Sequence, residues 1–111
     1  MFSLKNKKAI ITGAGSGIGK AIAVLFAKQG AEVHILEINA AAASEVIIEI
    51  NVVGGKAFAH SCNVADQQQV IEIFNSIGNV HILVNNAGIA HVGKADTTSE
   101  ADFDKVVNIN I

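Results

Sequence analysis

The sequence has a single cysteine and no proline, tyrosine or tryptophan among its 111 residues. One thiol, Cys62, excludes both a disulfide within the chain and a zinc site built from four cysteines. Charged residues make up only 16% of the sequence and the formal net charge is -2. This charge balance lacks the clustered basic residues that nucleic acid or an anionic membrane would select. The missing tyrosine removes a side chain that often exchanges protons with a substrate oxygen.

Long hydrophobic runs are also missing. The N-terminal lysines are followed by an apolar stretch that ends at Thr12, which is too short for a signal peptide or a membrane span. We therefore expect a cytoplasmic protein without a membrane or nucleic-acid partner. The four histidines, at positions 34, 60, 81 and 91, show no spacing typical of metal ligands, so no metal site is predicted. Half of the residues are hydrophobic, which fits one globular domain over residues 1–111.

Short apolar runs alternate with helical patterns along the chain, which predicts βαβ units and a parallel sheet. The predicted strands are residues 8–12, 32–37, 56–62 and 81–85. Helices are predicted over 17–29 and 40–53, and between Asp66 and about Ile77. In the first helix, we expect Ile18, Ile22, Leu25 and Phe26 to form the buried face. A fourth helix is predicted to begin near Phe103 and to continue to the last residue, so we expect a domain truncated within that helix.

The segment TGAGSGIG at 12–19 lies between the first predicted strand and the first predicted helix. A pyrophosphate needs backbone N–H groups, the positive end of a helix dipole and no obstructing side chains. The glycine spacing provides these, although a glycine-rich turn that binds nothing is the alternative. A P-loop is disfavoured because Ala14 and Ala21 replace the glycine and the Ser or Thr that it requires. The predicted cofactor-binding residues of this segment are Gly13, Ser16, Gly17, Ile18 and Gly19.

Glu37 closes the second predicted strand, about twenty residues after the glycine loop, where dinucleotide-binding folds place an acid. A carboxylate there accepts hydrogen bonds from ribose hydroxyls and repels a 2′-phosphate. We therefore predict NAD as the cofactor in preference to NADP. A solvated carboxylate at a strand end is the alternative for Glu37.

Two motifs together resemble the short-chain dehydrogenase/reductase family: TGxxxGIG at 12–19 and Asn85-Asn86-Ala87-Gly88. The resemblance covers the chain from the first strand to Ile111. It implies a Rossmann-type α/β fold with a doubly wound parallel sheet, of which this sequence would contain the first four strands in the order 3-2-1-4. The fourth strand would then be an exposed edge.

The resemblance also implies roles for individual residues. Asn63 and Val64 would bracket the adenine, and Ile89 would approach the nicotinamide ribose. The adenosine side would be lined by Asn86, Ala87 and Gly88. Near the end of the sequence, Asn110 matches the family's catalytic asparagine, with Asn108 as the competing register. His81 stands where the family usually has aspartate, and we expect a local structural change there.

In this family a tyrosine, a lysine and a serine act at the carbonyl or alcohol oxygen. They would lie beyond Ile111, and this sequence has no tyrosine. The resemblance implies an NAD-dependent oxidoreductase that acts on a small secondary alcohol or ketone and assembles as a homodimer or homotetramer. A 3-oxoacyl thioester, a polyol and a hydroxyacid all remain open as substrates. The alternative is a nucleotide-binding protein without catalysis, and the 111 residues alone are expected to be inactive.

Overall fold

The computed structural model describes residues 3–15, 17–86 and 107–111. The strands and helices follow in the order β1 (Lys8–Thr12), α1 (Gly17–Lys28), β2 (Glu32–Glu37), α2 (Ala40–Val52), β3 (Lys56–Ser61), α3 (Gln67–Ile77), β4 (Ile82–Asn85) and β5 (Val107–Asn110). They form one parallel sheet in the order β3-β2-β1-β4-β5. This confirms the predicted Rossmann-type α/β class and the order 3-2-1-4. Within these residues no helix has the length and apolar character needed to span a membrane.

The two faces of the sheet follow from the alternation of side chains along the strands. In β1, Ala9 and Ile11 belong to a core cluster shared with α1 and α2, whereas Ile10 belongs to a second cluster shared with α3. Both faces of the central strand are therefore covered, as is typical of parallel sheets. This explains why residues 9–11 and 82–84 are continuously apolar and why Val33, Ile35 and Leu36 of β2 are all buried.

Helix α1 packs on the sheet through small residues. Its buried residues are Gly19, Ala23 and Ala27, spaced four apart on one face. The predicted face is wrong for Ile18 and Leu25, which are 60% and 53% exposed. The other two predicted residues, Ile22 and Phe26, are partly buried and pack against the core. Small side chains allow the helix axis to come close to the sheet, and the larger apolar residues then lie at the flanks or in solvent.

Helix α3 begins with a well-defined cap. Asp66 is the N-cap residue, and its Oδ1 accepts hydrogen bonds from the backbone N–H groups of Gln68 and Gln69. The side chain of Gln69 accepts from the N–H of Asn63, so it fixes the segment before the helix. The neighbouring Cys62 is buried against α3, and this burial raises the pKa of its thiol, with a smaller contribution from Asp66. Cys62 is therefore a small residue of the core on the α3 side of the sheet.

The end of the sequence differs from the prediction. Residues 107–110 form β5 in parallel with β4, so the predicted helix does not continue through them and β4 is not an edge strand. The predicted start of that helix near Phe103 lies outside the described residues. The physical reason is the local pattern: β-branched Val107 and Ile109 alternate with Asn108 and Asn110, which favours a strand. Pairing also satisfies backbone groups on the second edge of β4.

His81 has a clear structural role just before β4. Its Nδ1 accepts a hydrogen bond of 2.9 Å from the backbone N–H of Lys8. The backbone N–H of His81 in turn donates to the backbone carbonyl of Lys8. An aspartate carboxylate at this position could accept the same bond from Lys8. The imidazole therefore preserves a link between the starts of β1 and β4.

The cap of α3 provides a test of the local energetics. We expect Asp66→Ala to lower the free energy of unfolding by about 1 kcal/mol, because two N–H groups of the first turn lose their acceptor. Asp66→Asn is the matched control, since its amide oxygen can accept the same bonds. Urea unfolding followed by circular dichroism measures both changes. An alanine variant as stable as the asparagine variant would contradict this account of the cap.

Candidate functional site

The described candidate residues collect at one edge of the sheet. Gly13 follows β1, Glu37 ends β2, Asn63 follows β3, Asn86 follows β4, and Asn110 ends β5. Because the strands are all parallel, their carboxyl ends lie along the same edge. In open α/β sheets this edge is where ligands bind.

The glycine loop leads from β1 into the N-terminus of α1. Gly13 has φ of 66° and Gly17 has φ of 62°, which are backbone conformations that favour glycine. Helix α1 begins at Gly17, and its first turn contains no acidic residue. The N–H groups of that turn have no partners within the helix and carry the positive end of its dipole. This end of α1 can therefore attract an anion without competition from a carboxylate of its own first turn.

The carboxylate of Glu37 lies against the glycine loop. Its Oε1 accepts a hydrogen bond of 3.0 Å from the N–H of Gly15, and its Oε2 accepts one of 3.0 Å from the N–H of Asn39. A β-carbon at position 15 would lie 2.7 Å from Oε1, so this approach requires glycine. Each carboxylate oxygen has a second lone pair, and Glu37 can therefore accept further hydrogen bonds from a ligand.

Asn86 joins the end of β4 to the glycine loop. Its side-chain Nδ2 donates to the carbonyl of Gly13 at 3.0 Å, and its backbone N–H donates to the hydroxyl of Thr12 at 3.0 Å. The Thr12 hydroxyl in turn donates to the carbonyl of Val84 at 3.4 Å. A β-carbon at position 19 would lie 2.5 Å from the Asn86 amide nitrogen and 2.6 Å from the Gly13 carbonyl. Gly19 is thus required by the packing of α1 against this junction.

Asn63 and Val64 lie between the end of β3 and the cap of α3. The Asn63 side chain accepts from the N–H of Ala65 at 3.0 Å, and Val64 packs against the α3 cluster. The adjacent Cys62 donates its N–H to the carbonyl of Glu37 at 3.4 Å. The structure therefore brings this turn next to the end of β2, with the Asn63 side chain exposed.

Asn110 lies at the carboxyl end of β5, on the outer side of β4. It is the Cα partner of Asn85, whose other Cα partner is Thr12. Asn108, the competing candidate, pairs with Leu83 and lies further from the carboxyl edge. Both asparagines are exposed.

The remaining candidates, Ser16, Ala87, Gly88 and Ile89, lie outside the described residues. Of the described candidates, the structure joins Gly13, Gly19 and Asn86 directly. Sequence analysis missed two contributors, Thr12 and Gly15, although both stand in the glycine motif. Only the fold reveals their partners, which lie 22 or more residues away along the chain. Among the residues that the structure describes, no group of three or more His, Cys, Asp or Glu side chains could hold a metal ion.

The parallel sheet, its strand order and the glycine loop at the start of α1 define a Rossmann-type protein. Residues 7–111 match the family described as short chain dehydrogenase. The chain belongs to this family.

Individual relatives support the same assignment. The chain is 44% identical over 112 residues to 7alpha-hydroxysteroid dehydrogenase of Escherichia coli K12, covering 97% of this chain and 44% of that protein. It is 37% identical over 112 residues to 3-oxoacyl-(acyl-carrier-protein) reductase FabG of Thermotoga maritima, covering 97% of this chain and 46% of that protein. The chain thus spans less than half the length of these relatives.

A solved structure shows the same fold. It is 7 alpha-hydroxysteroid dehydrogenase in complex with NADH and 7-oxo glycochenodeoxycholic acid, and it superposes with a TM-score of 0.72 at 49% identity. The match covers 78% of this chain and 35% of the other. The likeness therefore concerns the part of that enzyme to which this chain corresponds.

The junction between Thr12 and Asn86 leads to a prediction. Thr12→Val keeps the side-chain shape but removes the oxygen that accepts the Asn86 N–H, so we expect a loss of about 1–3 kcal/mol in the free energy of unfolding. Thr12→Ser retains the hydroxyl and serves as the matched control for its hydrogen bonds. Urea unfolding measures the difference. A valine variant as stable as the unmodified protein would show that the hydroxyl does not support this junction.

Proposed function

We propose that these residues form the NAD-binding part of an oxidoreductase that transfers a hydride between nicotinamide and a secondary alcohol or ketone. The observation that carries the proposal is the position of Glu37, whose carboxylate lies 3.0 Å from the N–H of Gly15 in the glycine loop. An acid beside this loop fits the ribose that follows a pyrophosphate. The related hydroxysteroid dehydrogenase, which was solved with NADH, supports a nicotinamide cofactor.

The glycine loop fits a pyrophosphate on two counts. The first turn of α1 offers N–H groups and no acidic side chain. A β-carbon at Gly17 would meet nothing within 4 Å, so the backbone at the start of the helix is open to a ligand. Lys20 forms a 2.9 Å ion pair with Glu49 of α2. This pairing leaves the backbone N–H groups and the helix dipole as the main attraction for phosphate oxygens.

Selection of NAD over NADP follows from the charges beside the ribose. Glu37 keeps free lone pairs for the two ribose hydroxyls, and its negative charge disfavours a 2′-phosphate. The next residue, Ile38, is 66% exposed and offers no positive charge to such a phosphate. NAD is therefore the proposed cofactor.

The remaining roles complete the proposed site. Asn63 and Val64 contact the adenine, and Asn86, Ala87 and Gly88 line the adenosine side, with Ile89 toward the nicotinamide ribose. Asn110 is the proposed catalytic residue, whose amide would hold a water in a proton relay to the active-site lysine of the family. Residues 1–111 act as one nucleotide-binding domain, and the protein that contains them is a homodimer or homotetramer.

When bound, NAD would accept the hydride and NADH would donate it, in each case at a carbon of the nicotinamide ring. The accompanying proton must be exchanged at the substrate oxygen, which the family resemblance assigns to a tyrosine. The 111 residues contain no tyrosine, so their own contribution is to bind and orient the dinucleotide. A binding protein without catalysis is the second candidate, and the same absence favours it for these residues alone.

Cofactor preference provides the main test. We expect Glu37→Ala combined with Ile38→Arg to lower the ratio of the NADP and NAD dissociation constants by more than tenfold, which corresponds to about 1.4 kcal/mol. The change removes a charged hydrogen-bond acceptor and adds a partner for the phosphate, each a contribution of about 1.5–3 kcal/mol. Isothermal titration calorimetry with both nucleotides measures the ratio.

Two control variants separate the effect of the Glu37 charge from that of its hydrogen bond to the glycine loop. Glu37→Gln retains an oxygen for the Gly15 N–H but loses the negative charge, and Ile38→Arg alone leaves the carboxylate in place. Each should shift the ratio by less than the double variant. A double variant that stays folded by circular dichroism but shifts the ratio less than tenfold would overturn the assignment of Glu37.

A second prediction concerns catalysis. The 111-residue chain should not reduce NAD in the presence of a secondary alcohol, because no tyrosine can take the proton from the hydroxyl. Absorbance of NADH, with the protein's intact mass confirmed, measures this. Turnover by a sample of that mass would refute the proposal that these residues bind the dinucleotide but do not catalyse the reaction.

A further inference from the structure

Two histidines and an acid form a hydrogen-bonded row on the α3 side of the sheet, away from the nucleotide-binding edge. His34 of β2 lies between the rings of Phe58 and His60 of β3, with ring centroids 5.1 and 5.2 Å apart. Only 7% of His34 is exposed, and His60 is half-buried. This ring stack bridges β2 and β3 through side chains.

The hydrogen bonds of the row fix where its protons lie. His34 Nε2 is 2.7 Å from Glu32 Oε2, and His34 Nδ1 is 2.9 Å from His60 Nε2. An ionised carboxylate only accepts, so His34 Nε2 carries hydrogen. When both rings are neutral, His34 Nδ1 must then accept from the N–H of His60. We call His34 and His60 the histidine pair.

The charged groups around the histidine pair come from three strands. Lys8 of β1 and Lys56 of β3 lie 4.0 and 3.2 Å from the Glu32 carboxylate. The Lys56 ammonium also lies 5.8 Å from the centre of the Phe58 ring. The hydrogen bond from His34, together with Lys56, lowers the pKa of Glu32 against the opposing effect of burial. Glu32 therefore stays ionised to a lower pH than an ordinary glutamate does and keeps orienting His34.

The histidine pair can hold one additional proton without losing its internal hydrogen bond. If His34 becomes a cation, its Nδ1–H donates to His60 Nε2, and His60 carries its hydrogen on Nδ1 instead. A second proton makes both rings donors only. Two N–H groups would then face each other across 2.9 Å. Burial, and in smaller part the neighbouring His34, lowers the pKa of His60.

We propose that the histidine pair makes the attachment of the edge strand β3 to β2 dependent on pH. Strand β3 stays docked while the pair holds at most one additional proton, and double protonation loosens it. Among the described residues, β3 pairs with another strand on one side only. The hydrogen bond between His60 and His34 therefore supports the only strand pairing that β3 has within those residues.

The direction of the pH effect follows from the lowered pKa of His60. The folded protein binds this proton more weakly than the unfolded chain does, so the contribution of His60 to stability is complete above the ordinary histidine pKa of about 6.5. It is lost as the pH falls through the lower pKa of the folded state. Glu32 adds a loss in the same direction at lower pH, because its pKa is also below the ordinary value.

Hydrogen exchange measured by NMR at pH 7.5 and pH 5.0 tests the proposal. We expect the protection factors of the β3 amides, corrected for intrinsic exchange, to fall at least tenfold between these values, because the folded state binds the His60 proton more weakly than the unfolded chain does. Protection in β1 should change by less than threefold. In His60→Gln, whose amide can donate to His34 but does not titrate, protection of β3 should vary by less than threefold.

Two further measurements make the test decisive. His81→Asn removes an imidazole outside the row and keeps an acceptor for Lys8, so it should retain the acid-dependent loss of protection in β3. Imidazole ¹⁵N shifts of the unmodified protein at pH 7.5 should show hydrogen on Nε2 of His34. Hydrogen on Nδ1 of His34, a fall in protection that persists in His60→Gln, or equal changes in β3 and β1 would each overturn the proposal.

Discussion

The glycine loop approaches its neighbours so closely that a β-carbon would disturb two of its contacts. At position 15 it would displace the Glu37 carboxylate, and at position 19 it would meet the backbone carbonyl of Gly13 and the amide of Asn86. These contacts fix the start of α1 relative to the ends of β2 and β4. The positive end of the helix, an acid and an amide are thereby held together at the carboxyl edge. The site depends on this close approach more than on any single polar group.

The same constraint continues along α1 and explains an error of the sequence analysis. Periodicity in hydrophobic residues selected the largest apolar side chains, including Ile18 and Leu25, as the buried face. The helix instead buries Gly19 and two alanines, because a short distance between helix and sheet leaves space only for small residues. The apolar pattern therefore identified the helix and two partly buried residues, Ile22 and Phe26, but not the small residues at the centre of the buried face.

Features that depend on neighbouring residues could be predicted from the sequence, whereas features that depend on contacts between distant residues could not. The first four strands and three helices were placed within one or two residues, since glycine stops, the caps at Asn39 and Asp66, and β-branched runs are local signals. Strand β5 was missed because its alternation over four residues is short and its partner is distant in sequence. Gly13, Glu37 and Asn86 were selected from motifs. Their mutual contacts, and the contributions of Thr12 and Gly15, required the fold.

The residues at the amino ends of the parallel strands and those at the carboxyl ends have different roles. The amino ends of the strands carry Lys8, Glu32, Lys56 and His81, which bind one another or the nearby backbone. The carboxyl ends carry glycines and groups with free hydrogen-bonding capacity. At the amino edge, polar groups are used to fasten strands together, so histidine can replace the usual aspartate at position 81 if it still accepts the Lys8 N–H. At the carboxyl edge, the same kind of exchange at Glu37 would alter the charge presented to a ligand. Position 81 therefore keeps its structural link with a histidine because only an acceptor is required there, whereas a change at Glu37 would alter the charge at the carboxyl ends of the strands.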